Sequence, residues 1–78
     1  MLSDTLLSKL RAKRNLPPPD LLRTIRVAAG ASQADVAELL GVHRETVSRW
    51  ERGNRTPSPR NLARYLEVIE ELRQVSAA

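Results

Sequence analysis

The chain has few of the side chains from which catalytic, redox or metal sites are built. It contains no cysteine and a single histidine, His43. Without cysteine it has neither disulfides nor thiolate-bound metals, and one imidazole with no ligand spacing around it does not make a zinc site. There is also no Gly-rich phosphate loop and no pattern that orients a base toward a nucleophilic serine. We therefore expect no enzymatic activity, no metal and no cofactor.

Long apolar runs are also missing. No run approaches the ~20 residues needed to cross a bilayer. Near the N-terminus the basic residues follow the leucines, which is not the order found in a signal peptide. With 78 residues the chain allows one small domain with a compact core. We expect a soluble cytoplasmic protein that does not associate with membranes.

Acidic residues are the minority charge, 9 against 13 Lys and Arg, and the formal net charge is +4. The excess is uneven along the chain. Residues 43–64 contain six arginines and two glutamates, a net +4, whereas residues 20–42 come to −1. Positive charge concentrated in one segment is typical of a polyanion-binding surface. The alternative is a solvated basic face without a partner.

Residues 31–57 predict two short helices joined by a tight turn. Ser32 is a good N-cap for the first helix, and Asp35 completes a capping box three residues later. Gly41 stands where a helix ends in the left-handed conformation. The second helix runs over residues 43–52 and turns Val47 and Trp50 inward. Two such helices around a turn of roughly three or four residues form a helix-turn-helix.

This segment resembles the helix-turn-helix of the Cro/phage-repressor (XRE) family, and the likeness extends over roughly residues 20–66. The matching residues are Ser32, Gln33, Ala37, Gly41, Val42, Ser48, Trp50, Glu51, Gly53, Arg55 and Pro57, with Val36 and Val47 in apolar positions. His43 departs from the family pattern, which usually has a Ser or Thr cap there, and a His cap is weaker. The resemblance implies an all-α, compact helix-turn-helix domain of about five helices, similar to the lambda repressor, here with an extra N-terminal helix and a long C-terminal helix.

The residues before this segment predict an added element. A helix from about Asp4 to Arg14 must end before the prolines that follow it. We assign residues 1–19 to this helix and its proline-rich connection, and residues 20–78 to the helix-turn-helix domain. Asp20 is predicted to cap the next helix. Three roles stay open for the first helix: a cover for the core, a basic arm on DNA, or part of a dimer contact.

The last part of the chain predicts one long helix. Ser58 as N-cap with Pro59 at the first helical position is a strong start, and nothing interrupts the helix before about Gln74. The family usually breaks here and adds another short helix. Core positions are expected at Leu62, Leu66 and Ile69. The remaining apolar strip supplies candidate dimer contacts at Val68, Leu72 and Val75. Alternatively, the first helix covers that strip within one chain, through Leu6, Leu7 and Leu10.

The resemblance also implies a function. Its members are transcription regulators, most often repressors, that bind double-stranded DNA sequence-specifically, and here helix 43–52 would lie in the major groove. Related proteins bind palindromic operators as homodimers. The base contacts implied are Arg44, Glu45, Arg49, Ser48, Thr46 and His43. The backbone contacts implied are Gln33, Asn54, Arg55 and Arg60.

Other interpretations accompany these assignments. In the resembling family the arginine at position 26 pairs with Glu51, which we expect as a structural ion pair. Glu45 has an alternative role as a charge balance for Arg49, four residues on. Arg55 has an alternative role as a turn residue held by local hydrogen bonds. A different function is a helix-turn-helix antitoxin, or an adaptor whose basic face meets an acidic protein partner; the acidic-edged last helix and the extra first helix are consistent with it.

Overall fold

The computed structural model describes residues 4–77, apart from the side chains of residues 9, 12 and 13. Within this range every regular element is an α-helix: α1 Asp4–Asn15, α2 Pro19–Ala28, α3 Gln33–Leu40, α4 Arg44–Glu51 and α5 Pro59–Ala77. The all-α fold with an added first helix and a long last helix is therefore confirmed. Of the helices in the described range, none has the length and apolarity required to cross a membrane.

Helix α3 begins and ends at the residues that the sequence indicates. The Asp35 N–H donates to the Ser32 hydroxyl at 2.9 Å, and the Ser32 N–H donates to the Asp35 carboxylate at 2.8 Å. That backbone donor stabilises the charged carboxylate and lowers the pKa of Asp35. Gly41 has φ +69°, and the Val42 N–H donates to the Ala37 carbonyl at 3.0 Å, which completes a Schellman motif.

Helix α4 is held by packing more than by its cap. His43 occupies the N-cap position in extended conformation, but its side chain makes no capping hydrogen bond. Val47 and Trp50 are instead buried at 0% and 4% exposure. After the helix, Gly53 has φ +74°, and a Cβ there would lie 3.3 Å from Pro19 Cγ. The chain after α4 therefore rests against the start of α2.

The start of α2 differs from its prediction. Asp20 is not the cap: Pro18 is the N-cap, Pro19 is the first helical residue, and Asp20 lies within the first turn. Proline suits that first position because its φ is already helical and its missing N–H would have had no partner. The Asp20 carboxylate still lies near the positive end of the helix dipole.

The core lies where α2, α3, α4 and α5 meet. Trp50 and Tyr65 form its aromatic centre, with ring centroids 4.9 Å apart and planes tilted by 36°. Burial raises the pKa of the Tyr65 hydroxyl. The buried cluster consists of Leu22, Ile25, Val36, Ala37, Leu40, Val47, Trp50, Tyr65, Ile69 and Leu72.

The buried stripe of α5 differs from the prediction in two places. Tyr65 is 1% exposed, whereas Leu66, expected in the core, is only half-buried. The assignment of Leu72 to an open apolar strip is wrong, because it is 8% exposed and belongs to the core cluster. Helix α1 contacts α5, but of the leucines in the one-chain alternative only Leu7 is half-buried, whereas Leu6 and Leu10 are 40% and 45% exposed. Val68 is also partly buried against the core, which leaves Val75, at 60% exposure, as the open member of the predicted strip.

Candidate nucleic-acid interface

The outward face of α4 is polar and mostly cationic. At about 100° per residue, Arg44, Glu45, Arg49 and Arg52 lie on the arc turned away from the core. All four are exposed. His43 is exposed just before the helix, while Thr46 and Ser48 are half-buried at the margins of this arc. The structure therefore brings together on one surface the side chains predicted to contact bases.

One side of this face opens into a concave region that we call the α3-side cleft. It has a volume of about 830 Å³ and lies where α4 meets the first turns of α2 and α3. The residues that line it are Asp20, Arg23, Arg26, Ser32, Gln33, Ala34, Arg44, Ser48, Glu51 and Arg52. The predicted backbone contact Gln33 thus shares a cleft with two predicted base contacts.

A second region, the α5-side cleft, lies between α4 and the start of α5. Its volume is about 420 Å³. The residues that line it are Thr46, Arg49, Trp50, Arg55, Thr56, Ser58 and Asn61. Apart from Trp50, these side chains are cations or hydrogen-bond donors, a composition suited to anionic oxygens.

The two clefts flank the outward face of α4. The α3-side cleft takes Arg44, Ser48 and Arg52 from one side of the helix, and the α5-side cleft takes Thr46 and Arg49 from the other. At about 100° per residue the centres of these two sets lie about 130° apart around the helix, with Glu45 between them. An exposed helix with a donor-lined hollow on each side matches the shape of a groove bounded by two phosphate strands.

The base of the α3-side cleft is held by a buried ion pair between α2 and α4. Arg26 donates to Glu51 through Nε at 2.7 Å and a second guanidinium N–H at 2.9 Å, and it donates to the Ala31 carbonyl at 2.9 Å. The hydrogen bond to Glu51 raises the pKa of Arg26, so the guanidinium stays charged. The pair that the sequence predicts is therefore present in the structure.

Gln33 is attached to the same carboxylate. Its side-chain N–H donates to Glu51 Oε1 at 3.1 Å. This bond fixes the side chain at the start of α3 against α4, so the positions of the two helices are coupled. Gln33 is half-buried and still lines the α3-side cleft.

Glu45 is engaged by two arginines of its own segment. It accepts a hydrogen bond from Arg52 at 2.9 Å and lies 3.7 Å from Arg49 Nε. The alternative in which Glu45 balances Arg49 therefore describes the free protein, and Arg52 is a partner that the sequence did not indicate. Any contact from these side chains to a base must exchange with this pairing.

The backbone-contact candidates after α4 are all exposed. Asn54 and Arg55 lie on the turn, and Arg60 lies in the first turn of α5. The side chain of Arg55 lines the α5-side cleft and makes no hydrogen bond or ion pair within the described part of the chain. Local hydrogen bonds therefore do not occupy its guanidinium. Arg64, by contrast, donates to the Leu39 carbonyl at 3.1 Å.

Comparison with known proteins identifies the family. The family model HTH_3, described as helix-turn-helix, matches residues 22–72. The chain belongs to the XRE-type helix-turn-helix family. This family consists of DNA-binding transcription regulators, and the matched span covers α3, α4 and most of α2 and α5. No curated protein and no solved structure shows significant similarity to the chain.

On the α3 side of this XRE-type protein, five residues line the cleft without having been predicted at the site: Asp20, Arg23, Ser32, Ala34 and Arg52. A signal for Arg23 did exist. It precedes Arg26 by three residues, which places both on one side of α2. Because Arg26 was expected to pair with Glu51 of α4, Arg23 had to lie near α4 as well.

On the α5 side the missed residues are Thr56, Ser58 and Asn61. Ser58 was identified only as a cap, and its hydroxyl does accept from the Asn61 N–H at 3.3 Å. No sequence signal marks the cleft, because it forms only when the turn after α4 folds back beside it. Among the described residues of this XRE-type chain, no group of three or more metal-ligating side chains is assembled.

Proposed function

We propose that this protein is a sequence-specific double-stranded DNA-binding regulator that represses transcription by laying α4 in the major groove. One observation carries the proposal: the cationic outward face of α4 has a donor-lined cleft on each side. The major groove, about 12 Å wide, admits one α-helix, and its floor displays a different donor and acceptor pattern for each base pair.

In this arrangement the base contacts come from the outward face. Arg44 and Arg49 donate in pairs to guanine O6 and N7, and Glu45 accepts from cytosine N4. His43, Thr46 and Ser48 make supporting contacts at the margins. Gln33 on one side and Arg55 on the other bind the two flanking phosphate strands. Asn54 and Arg60 bind further phosphates of the strand that Arg55 contacts.

A single copy reads too little sequence to be selective. With 8 residues, α4 is about 12 Å long and spans roughly four base pairs. A site of that size recurs about once in every 256 base pairs of random sequence, far too often in a genome. We therefore propose a homodimer on a palindromic operator, with half-sites roughly 34–36 Å apart.

Selection of binding sites from random duplex DNA tests the proposal. The wild type should enrich a palindrome, and fluorescence anisotropy on that site then measures variants. Arg49→Ala should cost about 1–3 kcal/mol and relax the base preference at one position of each half-site. Arg55→Ala should weaken all duplexes alike and reduce the salt slope by about 1 for each protomer, or about 2 for the dimer.

The outcomes discriminate the rival functions. If no duplex is enriched, the proposal of sequence-specific DNA binding fails and the antitoxin or adaptor function takes its place. If Arg49→Ala binds the enriched site as well as wild type does, α4 does not have the groove orientation described here. Repression is measured separately by in vitro transcription from a promoter that overlaps the selected site. Higher transcript yield with protein present would make the regulator an activator.

A further inference from the structure

We propose that Arg23 of α2 binds a DNA phosphate in the α3-side cleft, which it lines together with Arg44 of α4. This assigns a backbone contact to a helix outside the helix-turn-helix pair. The inference rests on the proposed function, because it takes the occupant of the cleft to be the strand beside α4.

The first support is the construction of the cleft. Three segments of chain form its walls: the start of α2, the start of α3 and one side of α4. Arg23 lies on the wall that α2 forms. Its position relative to α4 is fixed, because Arg26, one helical turn further on, is bonded to Glu51 at 2.7 and 2.9 Å. The backbone that carries Arg23 is thus held in a fixed position relative to α4.

The second support is the charge that the cleft leaves unpaired. Arg26 is neutralised by Glu51, and Arg52 is bonded to Glu45. The side chains of Arg23 and Arg44 are exposed, and within the described residues neither makes a hydrogen bond or an ion pair. Because Arg44 is assigned to a base, Arg23 is the unpaired cation of this cleft that remains for a phosphate, and its guanidinium presents several donors in a plane.

The third support is the position of Arg23 relative to α4. Under the proposed function the outward arc of α4 faces the floor of the groove, whereas the α2 wall of the cleft lies to one side of that arc. A group bound against this wall would therefore belong to the sugar-phosphate strand and not to the base edges. Contacts of this kind fix the position of a protein on the duplex without reading sequence.

Asp20 places a negative charge beside the proposed phosphate site. It lines the same cleft and is its one carboxylate that makes no ion pair within the described range. A phosphate in the cleft would be repelled by this carboxylate and attracted by Arg23. Neutralising Asp20 and neutralising Arg23 should therefore change DNA affinity in opposite directions.

The test measures binding of full-length variants to the selected site and to an unrelated duplex over a range of salt concentrations. Arg23→Ala removes one phosphate contact from each protomer of the dimer, so it should weaken both complexes by the same factor, roughly 60-fold at 0.1 M salt, and should reduce the salt slope by about 1.8. Arg23→Lys keeps the charge and should keep the slope. Asp20→Asn should tighten both complexes.

Arg73→Ala is the matched control, because it removes an exposed arginine from α5 that does not line either cleft. It should leave the slope unchanged. Thermal unfolding of each variant shows whether a loss of binding reflects a loss of fold, and the salt slope is insensitive to a reduced active fraction.

Several results would overturn the assignment of Arg23 alone. One is an Arg23→Ala protein that matches Arg73→Ala in affinity and slope. Another is a changed base preference, which would make Arg23 a base contact. Unchanged or weaker binding by Asp20→Asn would place the phosphate outside this cleft. If the wild type binds no duplex at all, the proposed function fails first.

Discussion

Replacing Glu51 by alanine would leave the Arg26 guanidinium in the domain interior without its counter-charge. The side chain of Arg26 is 11% exposed and that of Glu51 is 3% exposed. The substitution removes two charge-assisted hydrogen bonds to Arg26 and a third from Gln33. It therefore strands one buried charge and uncouples α4 from both α2 and α3.

The expected cost follows from this geometry. Breaking a buried ion pair by removing one partner costs about 3–5 kcal/mol. Arg26 keeps its hydrogen bond to the Ala31 carbonyl at 2.9 Å and has some access to water, so we expect the lower half of that range. At about 0.05–0.15 kcal/mol per residue, the whole domain has a free energy of unfolding of roughly 4–12 kcal/mol. The melting temperature should fall by about 12–30 °C.

Urea unfolding followed by the fluorescence of Trp50, the single tryptophan, measures this loss. Glu45→Ala is the matched control, because it removes an exposed glutamate with two arginine partners from the same helix and should cost less than about 1 kcal/mol. Replacing Arg26 and Glu51 together by leucine should recover most of the stability, since no charge is then stranded. Two results would refute the reasoning. One is a Glu51→Ala protein whose free energy of unfolding lies within about 1 kcal/mol of the wild-type value, and the other is a double variant no more stable than Glu51→Ala.

Three further predictions concern the caps and the surface. The lowered pKa of Asp35 means that its ionised form stabilises the fold. The free energy of unfolding of wild type should therefore exceed that of Asp35→Asn by its full amount above about pH 4, and this difference should shrink as the pH falls. A difference that persists at pH 2 contradicts this. Gly41→Ala should lower the free energy of unfolding by about 1–2 kcal/mol, measured by thermal unfolding, because alanine is strained at φ +69°. The added Cβ itself meets no atom within 4 Å, so an unchanged stability would mean that the turn relaxes. In sedimentation and circular dichroism, Leu72→Glu should unfold the monomer, whereas Val75→Glu should stay folded and weaken a dimer that uses this end of α5; a Val75→Glu protein that dimerises like wild type moves the interface elsewhere.

The sequence predicted most accurately what neighbours along the chain decide. Caps, αL glycines and the Ser58–Pro59 start act through hydrogen bonds and φ preferences within a few residues, so the helix ends fell close to their predicted positions. The start of α2 was missed because two signals competed at adjacent residues, an acidic cap at Asp20 and a proline at the first helical position. The fixed φ of proline prevailed.

Features that depend on tertiary packing were harder to predict. Leu72 belongs to the core cluster, and its period along α5 does not reveal which other elements reach that end of the helix. The bond from Arg52 to Glu45 and the two clefts depend on side-chain placement across separate segments. The exception was the pair of Arg26 and Glu51, where the family resemblance supplied a contact between residues far apart in sequence. The predicted base and backbone contacts themselves stay predictions.

The division of α4 into two faces has a consequence for how such proteins diversify. Val47, Trp50 and Glu51 secure the helix from inside, while Arg44 and Arg49 stand on its exposed side. Exposed substitutions away from caps and the core usually change stability by no more than about 0.5 kcal/mol. Under the proposed base contacts, single codon changes on the exposed side of α4 would give a gene duplicate a new target at little cost in stability.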